Sequence, residues 1–194
     1  MLTGILLAAG SSQRFGSPKL LHDLGAGLTL ALQSALALQS AVDHTLIVVS
    51  SQTDPVAKQF HNTAFTTLPC AQSSQGLGNS LACGITASLN STAWLIALAD
   101  MPFIQPDTYQ AIASLMRQGT LLAAPSYQGK LGHPVGFHRQ FAPQLQALTG
   151  DQGARHLLQK YQSQLHIVAS QDPGIHWDID CPKDLLFPKS HSSQ

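Results

Sequence analysis

Apolar and polar positions fall into blocks along this chain, and the blocks alternate between strand and helix spacing. Residues 2–7 are an apolar run of strand length, and residues 29–41 predict a helix, with apolar side chains at 28, 31, 32, 35, 36 and 38. Residues 45–49, Thr-Leu-Ile-Val-Val between polar flanks, predict a buried strand. Asp54-Pro55 predicts a helix start, Asp as N-cap and Pro in the first turn, running to about His61. A weaker strand at 64–68 precedes a polar, Gly-containing loop at 72–78 and a helix at 79–89. A strongly apolar strand follows at 94–99, then a helix at 106–117 and a short strand at 121–125. Residues 126–138 read as an irregular loop or hairpin, and residues 140–148 and 152–161 as two short helices. Late strands are expected at 165–169 and 176–179, and a terminal helix from Cys181-Pro182.

Such alternation predicts an α/β fold: an open, mostly parallel sheet with helices on both faces and a small hairpin or loop region inserted beside it near 126–140. No repeat, low-complexity stretch or linker breaks the rhythm, so residues 1–189 are expected to form one domain, with 190–194 a frayed tail. Ligands of such sheets lie at the carboxyl ends of strands, which makes the residues after Leu7, Val49 and Ala99 the default site.

Composition narrows the chemistry. The 194 residues are 44% hydrophobic and 10% charged with formal net charge +0, a globular profile without the cationic excess that nucleic acid or a membrane surface would select. Glu is absent, so any catalytic or metal-binding carboxylate is one of the aspartates at 23, 43, 54, 100, 107, 151, 172, 178, 180 and 184. Cys70, Cys83 and Cys181 are scattered and odd in number, which predicts reduced thiols and not a disulfide frame or zinc site. The first apolar run is too short for a signal sequence. The longest, 28–42, is interrupted by Gln33, Ser34, Gln39 and Ser40, short of the about 18–20 apolar residues of a membrane span. A cytoplasmic protein with neither a nucleic-acid nor a membrane partner is expected.

The chemistry begins in Leu6-Leu7-Ala8-Ala9-Gly10-Ser11-Ser12-Gln13-Arg14-Phe15-Gly16-Ser17-Pro18-Lys19. A strand ending on small residues, then a Gly/Ser loop with one Arg and one Lys, suits phosphate: backbone N–H groups approach closely and two cations neutralise charge. A surface turn with two solvated cations fits the loop equally well. The dinucleotide fingerprint G-x-G-x-x-G is absent, Ser50 and Ser51 stand where a ribose-binding acid would, and no Gly-Lys-Ser/Thr marks a P-loop. Asp100 follows the apolar strand directly, placed to hold Mg²⁺ across phosphates, or else to form an Asp-x-Pro turn. Asp178 and Asp180, two apart on an expected strand, would share a face. Asp178 is the candidate second metal ligand, and Asp180 a supporting or helix-capping residue. Gly76 to Leu81 opens a helix and offers either a second anion or base pocket or an ordinary first turn. In the segments 132–137 and 150–155, Asp151 can be read as an N-cap and Arg155 as a surface cation.

Taken together these stretches resemble the MobA-like nucleotidyltransferase family, and most of all its molybdenum cofactor cytidylyltransferase branch. The resemblance rests on Leu7-Ala8-Ala9-Gly10 through Lys19, Gly78-Asn79-Ser80-Leu81, Ala99-Asp100-Met101-Pro102, Gly132-His133-Pro134-Val135, Gly150 to Arg155, and Asp178-Ile179-Asp180-Cys181-Pro182, in the family's order. It implies a Rossmann-like domain that transfers CMP from CTP to the phosphate of molybdopterin or the molybdenum cofactor and releases pyrophosphate. Leu7, Ala8, Ala9, Gly10, Ser11, Gly78 and Ser80 would contact the nucleotide, and Arg14 and Lys19 its phosphates. Asp100 would bind Mg²⁺ with help from Asp178. Ala9, in Ala-Ala-Gly, goes with cytidine over guanine; His133, Asp151 and Arg155 would face the acceptor, and a molybdoenzyme would be a transient partner. Phe15 departs from the family's usual Met and Cys181 from its Thr. A relative using GTP or another acceptor, or a non-catalytic molybdenum cofactor-binding and delivery protein, are the competing readings. Arg14, Lys19 and Asp100 together speak against the last.

Overall fold

β1 (Leu2–Leu7) is buried at every residue and pairs in parallel on both sides, with β2 (His44–Val49) and with β4 (Ala93–Leu98). β3 (Thr66–Pro69) extends the parallel set beyond β2. A strand covered on both faces needs no polar alternation, which explains the continuous apolar runs of β1, β2 and β4. The computed structural model describes residues 1–10, 15 and 18–186.

In the other half of the sheet one strand position runs against the rest. β7 (Val135–His138) runs antiparallel to β4 on one side and to β5 (Leu122–Tyr127) on the other, and β8 (Leu165–Ala169) is parallel to β5. The two-residue β6 (Lys130–Leu131) forms a hairpin with β5 through Gln128 and Gly129, at φ 50 and 77, the backbone of a tight turn whose twist matches the strands. Ser126 pairs with Leu131 on one side and Ala169 on the other, while Leu122 pairs with Phe137 and Leu165. β6 and β7 therefore lie along the same edge of β5, as one strand broken at residues 132–134. The hairpin expected beside the sheet is thus built into it. Among the described residues the sheet has eight strands.

Helices cover both faces. α1 (Leu30–Gln39), α2 (Pro55–Gln59) and α4 (Pro106–Arg117) pack with Leu2, Leu6, Ile47, Leu95 and Ala97. α3 (Leu77–Thr86), α5 (Ala142–Gln146) and α6 (Arg155–Lys160) pack with Ile5, Leu7, Val48, Trp94 and Ile96 on the opposite face. Asp54 caps α2 by accepting from the Val56 N–H at 2.8 Å, as its sequence predicts. Among the described residues no helix is long and apolar enough to cross a membrane.

Residues 176–179 are not a strand. A 3₁₀ turn, Pro173–His176, leads into irregular chain whose backbone groups are satisfied from outside any ladder. The buried carboxylate of Asp172 accepts from the N–H groups of Gln105 and Gly174, at 2.8 and 2.9 Å, and from the Thr108 hydroxyl at 2.8 Å. The His133 N–H donates to the Ile175 carbonyl at 3.1 Å, and the Ile179 N–H to the Asp100 carbonyl at 2.9 Å. This segment fills the gap that opens where β4 and β7 part beyond the Ile96–Val135 pair. The approach is close on both sides: a Cβ on Gly132 would stand 2.5 Å from the Ile175 carbonyl oxygen, and one on Gly174 2.3 Å from that of Phe103. Asp172→Ala strands three donors and is expected to cost about 3 kcal/mol of stability, read as a lower urea midpoint at unchanged slope.

Candidate active site

At the carboxyl edge, β1 gives way to Ala8, Ala9 and Gly10 while β4 gives way to Ala99 and Asp100. Backbone bonds continue past the strands, from Ala8 N–H to the Val48 carbonyl at 2.9 Å and from Ala99 N–H to the Leu7 carbonyl at 3.1 Å. The start of the early loop and Asp100 thus leave the sheet side by side. Leu7 and Ala8 are buried, Ala9 half-buried and Gly10 exposed, a gradient leading backbone from core to solvent. Ser11 and Arg14 lie outside the described residues.

Lys19 returns to this edge on a 3₁₀ turn, Lys19–Leu21, anchored by the buried Leu20. Its Nζ donates to Asp100 Oδ2 at 3.0 Å and to Asp180 Oδ1 at 3.2 Å. Burial works against the Lys19 charge, but Asp100 and then Asp180 outweigh it and hold the ammonium above its ordinary value of 10.5. A small apolar cluster ties the three charge-bearing segments together. Phe15, Leu30 and Ile179 form its buried centre, with Leu24, Phe103, Trp177 and Leu185 against them. Phe15, the departure from the family pattern, is a packing residue of this cluster.

The sequence singled out Asp178 as the companion of Asp100, on the premise of a shared strand face. The structure brings Asp180 to the ammonium that Asp100 also holds, and it leaves Asp178 exposed. Asp180 is not the cap of the terminal turn, a 3₁₀ helix over Pro182–Leu185. Asp184 has that role, its Oδ2 accepting from the N–H groups of Cys181 at 2.7 Å and Asp180 at 2.9 Å. These bonds hold its carboxyl below the ordinary value and brace the turn despite Cys181. Sequence reasoning passed over Asp184, although an acid three residues after a cap position is a readable sign. It passed over Asp172 too, although Asp172-Pro173 repeats the Asp54-Pro55 pattern.

His133 lies where the broken strand turns towards this edge, and its buried Nδ1 has no hydrogen-bond partner. Burial pushes the imidazole below its ordinary 6.5, against the opposing pull of the Ile96 backbone and of the Asp100 and Asp178 carboxylates, so it is neutral at pH 7. Acidification through 6.5 protonates the unfolded chain first, so stability falls until the pH passes the folded value. Urea unfolding at about pH 7.5 and about pH 5.5 should register that loss, and His133→Gln should diminish it.

Two further motifs meet each other. The Gly78 N–H donates to the Gly150 carbonyl at 2.8 Å, and the Gly150 N–H to Asn79 Oδ1 at 2.7 Å. Gly76, at φ +127, lies so near this loop that a Cβ would stand 2.2 Å from the Gly150 carbonyl carbon. Gly78 spends its N–H on this junction, and Ser80 is buried in the first half of α3. Asp151 and Arg155, the expected acceptor contacts, are exposed beyond the junction. Since α3 begins soon after β3 ends, the junction stands at the same sheet edge as Asp100.

Asp100 and Asp180 converge on one positive charge, and Lys19 stands in for a cation there. Among the described residues no group of three or more His, Cys or Asp side chains could hold a metal unaided. A carboxylate pair open to phosphate and water is the donor set that suits Mg²⁺, which takes one or two carboxylates and completes its shell from its substrate.

The chain is similar to known proteins over nearly its whole length. The purine catabolism protein PucB of Bacillus subtilis is 30% identical over 193 residues, covering 94% of this chain and 93% of PucB. Nicotine blue oxidoreductase of Paenarthrobacter nicotinovorans is 26% identical over 194 residues, covering 95% and 94% of the two chains. In fold, Rv0371c of Mycobacterium tuberculosis superposes with a TM-score of 0.79 at 24% identity over 94% of this chain and 95% of its own, and a second structure of it is a manganese complex. The family model of the MobA-like NTP transferase domain matches residues 4–166, from the first strand through the hairpin to the last. By sequence and by fold, the chain belongs to the MobA-like NTP transferase family of nucleotidyltransferases.

Proposed function

We propose that the protein is a cytoplasmic cytidylyltransferase that moves CMP from CTP to the phosphate of a molybdopterin-type cofactor and releases pyrophosphate. The observation that carries this reading is the Lys19 ammonium held between Asp100 and Asp180 at the sheet edge where the Ala8–Gly10 loop begins. A phosphate oxygen of the acceptor attacks the α-phosphorus in line; the new P–O bond forms as the bond to the β-phosphate breaks. Two anions must meet, so positioning and charge neutralisation carry the catalysis, and no protein nucleophile is required. Lys19 and Arg14 neutralise the leaving pyrophosphate. Leu7 to Ser11, with Gly78 and Ser80, frame the nucleotide, and Ala9 leaves the cytosine preference. His133, Asp151 and Arg155 stand towards the acceptor, His133 as a neutral imidazole able to donate one hydrogen bond without adding charge. Asp100 and Asp180 would hold Mg²⁺, with Asp178 helping; when bound, the cation supplies Lewis-acid charge at the phosphates. The manganese complex of Rv0371c supports divalent-cation use. A molybdoenzyme would receive the product through transient contact.

The test is pyrophosphate release by purified protein with Mg²⁺, molybdopterin and each NTP in turn. Release with CTP alone is the expected result. Preference for GTP would overturn the Ala9 assignment, release only with another acceptor would overturn the cofactor, and no release with any NTP would leave a delivery protein.

A further inference from the structure

We propose that Lys19 is the resident counter-ion of the Asp100–Asp180 pair and must leave it for a divalent cation to enter, so that cation and nucleotide bind cooperatively. The inference rests on the nucleotidyl-transfer reading above and adds to it an order of events. Nζ stands 3.0 Å from one carboxylate and 3.2 Å from the other, at the convergence point that a metal ion would seek. The lysine side chain is the most enclosed of the three at 13% exposure, while Asp100 at 26% and Asp180 at 47% remain open to solvent. A cation arriving from water therefore meets the carboxylates with an ammonium already behind them. Two carboxylates brought together repel unless a positive charge lies between them, and one ammonium and one divalent ion in the same place repel more strongly still.

The exchange has a physical route. Lys19 carries its charge on a flexible four-carbon stem, whereas the backbone beneath it is fixed by the 3₁₀ turn and by Leu20, so Nζ can swing while the turn stays in place. A nucleotide bound at the neighbouring loop offers phosphate oxygens as a new partner for the ammonium. Moving Lys19 to those phosphates takes its ammonium out of the carboxylate pair and favours the metal there, and filling the pair with the metal drives Lys19 onto the phosphates. Linkage makes the two effects equal in size.

The experiment measures Mn²⁺ binding by the loss of free-ion EPR signal, with and without α,β-methylene-CTP, after subtracting the metal held by the analogue in a protein-free titration. Wild-type protein should bind Mn²⁺ about ten- to a hundredfold more tightly with the analogue than without it. Lys19→Met should bind Mn²⁺ alone at least about tenfold more tightly than wild type, with the coupling to the analogue reduced by a similar factor, to what shared phosphate ligation supplies. Lys19→Arg, which keeps the charge, should behave as wild type. Lys19→Gln is judged by the same criterion should the Met variant fail to fold by near-UV circular dichroism. Mn²⁺ affinity of the uncharged variants equal to or below wild type overturns the exchange, as does absence of Mn²⁺ binding in every protein. Pyrophosphate release separates the two readings: the exchange can fail in an active enzyme, and an inactive protein whose Met variant gains affinity keeps the exchange and loses the transferase.

Discussion

Asp100→Asn is expected to lower pyrophosphate release by about a thousandfold while the protein stays folded. The substitution keeps the shape of the side chain and leaves the main-chain carbonyl, which accepts the Ile179 N–H at 2.9 Å, untouched. What it removes is one of the two negative charges that converge on Lys19. On the proposed reading the change acts on two parts of the reaction at once: the metal would lose its principal carboxylate, and Lys19 would be left leaning on Asp180. A variant that kept near wild-type turnover with Mg²⁺ and CTP would remove Asp100 from the catalytic machinery. Circular dichroism and the urea midpoint should stay close to wild type, because Asp100 is partly exposed and its strand is held by β1 and β7.

Gly76→Ala is expected to be the most damaging methyl group that can be added near the site, costing about 3 kcal/mol or more. At φ +127 any side chain is strained, and the new Cβ would meet the Gly150 carbonyl carbon at 2.2 Å, its oxygen at 2.3 Å and the Asp151 nitrogen at 2.6 Å. All three are backbone atoms, so no rotamer change relieves the contact. The Gly150 loop must retreat, and with it go the bond from Gly78 N–H to Gly150 and the one from Gly150 N–H to Asn79. Because Asp151 and Arg155 follow directly, the variant should also weaken acceptor binding; a lower thermal midpoint together with a raised KM for the acceptor is the signature. Gly119→Ala, at φ +87 but with open space around its Cβ, isolates the conformational part and should cost distinctly less.

Much of this was legible in the chain because the determinants are local. β1, α4 and β8 occupy the expected residues since each is a self-contained pattern: an unbroken apolar run, a proline-led amphipathic helix, a short apolar strand between turns. Asp54 and Pro55 announce α2 for the same reason. What stayed hidden depends on distant partners. β7 is Val-Gly-Phe-His, four residues between prolyl and basic neighbours, and only pairing with β4 and β5 makes it a strand. Residues 176–179 carry alternating character yet hydrogen-bond to the end of the β4 strand and to the preceding turn instead of a neighbouring strand. The Asp178–Asp180 assignment rested on a shared strand face, and the irregular chain there does not preserve the two-residue facing of a strand. Asp100 and Lys19 were found because their chemistry is written beside a strand end and in a loop. Their contact with Asp180 could be known only from the folded chain.

The bond between Lys19 and Asp180 joins residues 161 positions apart, and that between Lys19 and Asp100 spans 81. A growing polypeptide can therefore complete β1, β2 and β4 on emerging from the ribosome long before the third member of the charge triad has been synthesised. On the proposed reading, the centre closes only when the Asp172-anchored segment seats between the parted strands. The charge triad is thus completed late, where β4 and β7 part.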